Sequence, residues 1–128
     1  AGGILKRLTG GSFATLAQVF DDDDRAHLVA CRSDGSQVPV TAMSEGSRDQ
    51  LYLALRLAFL ADYSARAEAA PFIGDDLFQT FDDTRTAAGI DALAELSQTV
   101  QPILFTHHLS VVDIARKTLG EDLDLLEF

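Results

Sequence analysis

A chain of 128 residues with 47% hydrophobic and 23% charged side chains is long enough for one buried core and too short for two independent ones, and its composition is that of a globular domain. Its formal net charge of -10 excludes nucleic-acid binding through a general basic surface, because neutralising phosphates takes clustered Lys and Arg. The single cysteine, Cys31, excludes an internal disulfide and fits a reducing, cytoplasmic setting; no apolar run approaches a membrane span, and the opening Ala-Gly-Gly, without Met, lacks the build of a signal peptide and reads as the start of an excised fragment.

Residues 4–40 read as short β-prone runs, 4–8, 13–20, 27–32 and 37–40. They are broken by Thr9-Gly10-Gly11-Ser12, by Asp21-Asp22-Asp23-Asp24 and by Ser33-Asp34-Gly35-Ser36, whose Asp-Gly is a favoured hairpin turn. The pattern predicts a small antiparallel β meander over residues 1–42. The four aspartates lack the alternating ligand spacing and central glycine of a calcium loop, so they are expected as a solvated hairpin tip. Cys31 is expected as a small core residue and His27 on a strand face.

The texture changes at Met43. Ser47 followed by Gln50 has the spacing of a capping box and predicts a helix over 47–67. That helix is apolar on nearly every side and must be covered from more than one direction, leaving room for a neighbour outside this chain. Residues 71–76, Pro-Phe-Ile-Gly-Asp-Asp, read as a short buried strand running into two carboxylates. Asp82 and Asp83 then stand at the start of a helix over 84–98. A second short strand at 103–105 ends in Thr106-His107-His108. Ser110 with Asp113 reads as another capping box, its helix closing at Gly120, and residues 123–128 are expected as a third strand. Strands alternating with helices predict an α/β fold with a mainly parallel sheet and flanking helices over 43–128, the whole chain forming one domain. Ligands of such sheets bind beyond the carboxyl ends of the strands, where Asp75, Asp76, His107 and His108 fall.

An apolar strand ending in Asp75-Asp76 suits magnesium-dependent phosphoryl transfer, since Mg²⁺ takes one or two carboxylates besides waters and phosphate oxygens. One acid can hold the metal's shell while its neighbour orients or deprotonates water. Helix capping is the structural alternative, for which Asp82 and Asp83 are better placed. His107 can reach a γ-phosphate or be a satisfied structural histidine; His108 is expected on the opposite face. Backbone amides from Ser44 to Ser47, at a helix N-terminus, can contact an anion.

In this order the pieces resemble a known family. Met43-Ser44-Glu45-Gly46-Ser47-Arg48 and the helix after it resemble the ABC signature motif of the SMC, SbcC and RecF/RecN class of ATPases, and the YhaN-like bacterial coiled-coil ATPases in particular. Residues 72–76 look like Walker B, 79–82 like the D-loop, and 103–107 like the switch-histidine strand. The resemblance spans the chain and corresponds to the C-terminal lobe of an ABC-type, P-loop NTPase head. It implies that Asp75 holds the Mg²⁺ shell, Asp76 polarises the attacking water and His107 senses the γ-phosphate. It further implies that Ser44, Gly46 and Ser47 contact ATP held by an opposite head, while Asp82 helps join the two sites. The implied partners are the N-terminal lobe of the same protein, a second head in an ATP-dependent dimer, and, through other parts of the protein, DNA and a nuclease in repair or chromosome maintenance. Two positions depart from the family: Glu45 stands where Gly is usual, and Asp76 where most members carry Glu.

No G-x-x-x-x-G-K-[ST] phosphate loop occurs in the chain, so the amide and lysine cradle for a triphosphate is missing and the fragment alone is expected to be inactive. Two rivals remain at this level. One is a non-catalytic dimerisation or regulatory module retaining the fold, for which Glu45 speaks; the other is a stand-alone magnesium phosphotransferase using Asp75 and Asp76.

Overall fold

A computed structural model describes residues 2–68 and 70–128, which divide into two compact units between Phe59 and Leu60. The first unit opens with a helix, α1 (Gly2–Leu8), where the sequence pattern suggests a strand. Leu5 and Leu8 are both buried; their spacing of three places them on one helical face, and an apolar run this short reads equally well as either element. Thr9 closes the helix, its Oγ1 donating to the Leu5 carbonyl at 2.8 Å and accepting the Phe13 amide at 3.1 Å. The meander follows as β1 (Thr15–Phe20), β2 (Ala26–Cys31) and β3 (Gln37–Pro39), antiparallel in the order β1-β2-β3.

The aspartate run is an exposed hairpin tip. Asp21 Oδ1 accepts the Asp23 and Arg25 amides, each at 2.9 Å, and Oδ2 lies 2.8 Å from His27 Nε2. The His27 hydrogen bond, then the Arg25 amide, hold the Asp21 carboxyl below its ordinary value. Cys31 is only partly buried; Val29 and Ala30 are the residues of β2 that enter the core.

The long helix α2 runs Glu45–Arg66, starting earlier than the expected capping box. Its cap is Ser44, whose Oγ accepts the Ser47 amide at 3.2 Å, so Ser47 lies inside the first turn. Gln50 does not reach back to the cap. It is 2% exposed, and its side-chain amide donates to the Leu8 carbonyl, one of the acceptors that the end of α1 leaves without a helical partner. Gln50→Leu keeps the volume and removes a buried polar group, yet strands that carbonyl. We expect a loss of about 1–3 kcal/mol in urea unfolding, and an unchanged or raised midpoint would refute the pairing. One stripe of α2 is buried through Gly46, Gln50, Leu53, Ala54 and Leu57. Tyr52 and Phe59 stay exposed at 53% and 67%, so the all-round cover expected of this helix is not complete among the described residues.

The second unit holds β4 (Phe72–Asp75), α3 (Asp83–Leu96), β5 (Pro102–Phe105) and α4 (Leu109–Leu119). β4 and β5 pair in parallel, Phe72 opposite Pro102 through to Asp75 opposite Phe105, with α3 as the crossover. Phe72, Phe78, Ile90, Leu93, Val111 and Ala115 are among its buried apolar residues. Two expectations are corrected. Ser110 and Asp113 lie within α4, which starts at Leu109 with His108 in the capping position and no side-chain cap bond. Gly120 does end that helix, at a positive φ of 55° with ψ -120°, a backbone conformation open to glycine. Residues 123–128 form no strand: no described backbone pairs with them, although the two-stranded β4-β5 sheet leaves its edges open, and Leu125, Leu126 and Phe128 are exposed. No helix among the described residues is long and apolar enough to cross a membrane.

Candidate functional site

At and beyond the carboxyl ends of β4 and β5 stand Asp75, Asp76, His107 and His108. Along β4 the side chains alternate, with Phe72 and Gly74 buried and Ile73 and Asp75 exposed, as the strand period requires. A Cβ at Gly74 would lie 2.4 Å from Leu77 Cδ1, so a larger residue there would displace the Leu77 side chain that folds back over the strand end. The ladder closes with the Asp76 amide donating to the Phe105 carbonyl at 2.8 Å. At Asp76 the backbone turns left-handed (φ 54°), a conformation that Asp tolerates better than longer side chains because its short carboxylate can bond locally. That is a physical reason for Asp, and not Glu, at this position.

The turn separates the two carboxylates. Asp75 projects into solvent from the strand end, while the Asp76 carboxylate, 23% exposed, lies 4.0 Å from His107 Nδ1 and 3.3 Å from His108 Nε2. The two imidazoles lie against each other with centroids 4.1 Å apart and a 35° tilt. His108 therefore does not point to the opposite face. Alternation holds only within a strand, β5 stops at Phe105, and the His108 amide then bonds Thr106 Oγ1 at 3.1 Å, turning the chain so that both rings meet Asp76. The Nε2 atom of His108 is buried and has no hydrogen-bond partner; its approach to Asp76 is an electrostatic contact off the line of an N–H bond. Beside it, a cleft of about 100 Å³ is lined by Phe78, Gln79, Phe81, Asp83 and Ser110 among others.

Asp82 does what its position at a helix start suggests. Its carboxylate caps α3, accepting the Arg85 amide at 2.8 Å, with the Arg85 guanidinium 3.8 Å away in an exposed pair that adds little stability. In the first unit, Ser44 and Ser47 are linked by a hydroxyl hydrogen bond of 2.9 Å at the N-terminus of α2, and Gly46 is buried. Glu45 opens that helix, where a carboxylate is favourable beside the positive end of the dipole. Arg48, not singled out by sequence reasoning, has its Nε buried without a hydrogen-bond partner one turn further on.

Asp75 is a hard oxygen donor at a strand end, which fits Mg²⁺; the cluster of Asp76, His107 and His108 is a mixed nitrogen and oxygen set, which does not fit Mg²⁺ as a direct ligand shell.

No family model matches the chain. It is 33% identical over 114 residues to the uncharacterised protein YhaN of Bacillus subtilis; the match takes in 88% of this chain and 11% of YhaN. Among solved structures, it superposes on one from work on ATP-driven dimerisation and DNA-stimulated activation of SMC ATPases with a TM-score of 0.68 and 18% identity, over 89% of this chain and 68% of that one. The SMC head domain from Thermotoga maritima superposes with a TM-score of 0.62 and 18% identity, over 89% of this chain and 38% of the other. A head bound to the winged-helix domain of ScpA gives 0.66 and 19%, over 89% and 35%. The chain therefore shares its fold with SMC head domains and spans about a tenth of the length of the curated relative it matches.

Proposed function

We propose that this chain, residues 1–128 as one domain, is half of the ATP-binding and ATP-hydrolysing head of a cytoplasmic coiled-coil ATPase. The observation that carries the reading is the convergence of Asp76 with His107 at 4.0 Å beyond the carboxyl ends of two parallel strands. Mg²⁺-bound ATP, where present, supplies a phosphoryl group already polarised for attack. Asp75 offers its solvent-facing carboxylate to the metal's water shell. Asp76, turned away from Asp75 by its left-handed backbone, holds the attacking water and takes its proton on the carboxylate. His107, at the outer edge of the cluster, donates a hydrogen bond to the γ-phosphate. Ser44 and Ser47 present their hydroxyls, and Gly46 its backbone, at the start of α2 to the phosphates of ATP on an opposing head. Asp82 serves both the α3 cap and the contact between the two heads. The SMC structures with ScpA and in ATP-driven dimers favour a second head as the partner; action on DNA extends the same likeness.

The chain has no phosphate loop, so the triphosphate cradle must come from an N-terminal lobe. Titrating the 128-residue chain with ATP and Mg²⁺ is expected to give no saturable binding below the millimolar range. Tight binding by this chain alone would sink the half-site reading and favour an independent phosphotransferase.

A further inference from the structure

We propose that Asp76, His107 and His108 form a binding site for a divalent transition metal of the borderline class, such as zinc, cobalt or nickel. Each residue offers one ligand atom, and the three lie within 4.8 Å of one another. Ligands of a tetrahedral zinc ion, at metal distances near 2.1 Å, stand about 3.3 Å apart. The contact between Asp76 Oδ1 and His108 Nε2 is already 3.3 Å, and that between Asp76 Oδ2 and His107 Nδ1 is 4.0 Å. Closing the set therefore needs movement of about 1 Å or slightly more, which the His107 side chain, 77% exposed, can supply by rotation.

The other two ligands are held in place. The Asp76 backbone is held by its amide hydrogen bond to the Phe105 carbonyl, and the His108 backbone by its amide hydrogen bond to Thr106 Oγ1. His108 adds a second observation: its Nε2 atom is buried without a hydrogen-bond partner and faces the Asp76 carboxylate at 3.3 Å, a geometry that a coordinated cation between them would satisfy. Imidazole nitrogens select zinc, cobalt and nickel over magnesium, which prefers an octahedron of oxygens. Three protein ligands also leave a position open to water. The site shares Asp76 and His107 with the proposed hydrolytic centre, yet metal binding here needs neither nucleotide nor a second lobe.

The untagged chain is titrated with Co²⁺, read by its visible absorption, and with Zn²⁺ by calorimetry, both at neutral pH without nucleotide. One ion per chain is expected, bound in the micromolar range. His107→Ala and His108→Gln should each weaken binding about tenfold or more. His27→Ala, at the remaining histidine, should leave it unchanged, and a large excess of Mg²⁺ should not displace the ion. Wild-type affinity in His108→Gln, an equal loss in His27→Ala, or displacement by equimolar Mg²⁺ would each overturn the site. Because ATP is absent throughout, these results are separable from the nucleotide titration.

Discussion

Asp76→Asn in the complete ATPase is expected to lower kcat for ATP hydrolysis by about 100-fold or more, within the usual contribution of a positioned general base, while KM for Mg²⁺-ATP changes by no more than about twofold. The substitution isolates one property. Asparagine matches aspartate in shape and tolerates a left-handed backbone at least as well, so the turn at φ 54° and the amide bond to Phe105 survive. What disappears is a group able to take a proton. Asp75→Asn should instead raise the Mg²⁺ concentration needed for half-maximal turnover, because Asp75 stands outside the histidine cluster and faces solvent. Phosphate release under steady-state conditions, together with nucleotide and Mg²⁺ binding, distinguishes the two. Turnover near wild type in Asp76→Asn with magnesium binding intact would remove Asp76 from the role of base.

The strand running into Asp75 and Asp76, the helix capped by Asp82 and the strand before His107 were legible in the sequence because each joins an apolar run to a polar stop. Three features were not. α1 was hidden because Leu5 and Leu8 fit either period in so short a run. The tail at 123–128 reads as a strand from composition, but a strand exists only through hydrogen bonds to a partner backbone, and composition cannot show that no described segment pairs with it. His108 was misassigned because period-two alternation was carried past Phe105, where the strand ends. The Gln50 amide illustrates the same limit over distance. Its local spacing to Ser47 suggests a cap, whereas its partner, the Leu8 carbonyl, is 42 positions away.

Gly89 sets local propensity against packing, and the expected outcome is that packing wins. A glycine within α3 costs about 1 kcal/mol relative to alanine, so Gly89→Ala would stabilise an isolated helix. In this fold, a Cβ at that position would stand 2.4 Å from Phe78 Cε1 and 3.0 Å from Cζ. The ring has little room to retreat, being 4% exposed and packed on Phe81 at a centroid distance of 5.4 Å. Overpacking of this kind costs about 1–3 kcal/mol, enough to offset the gain in propensity. Gly89→Ala is therefore expected to be neutral to destabilising by about 2 kcal/mol, and Gly89→Leu to lose more than about 3 kcal/mol, in urea unfolding. Phe78→Leu shortens the side chain at the point of overlap, so the double variant with Gly89→Ala should be more stable than the sum of the single changes, by about 0.5–2 kcal/mol. A stabilisation of about 1 kcal/mol in Gly89→Ala alone would show that the ring yields freely. The wall of the cleft beside His108, which Phe78 helps to form, would then be pliable where the proposed chemistry needs it fixed.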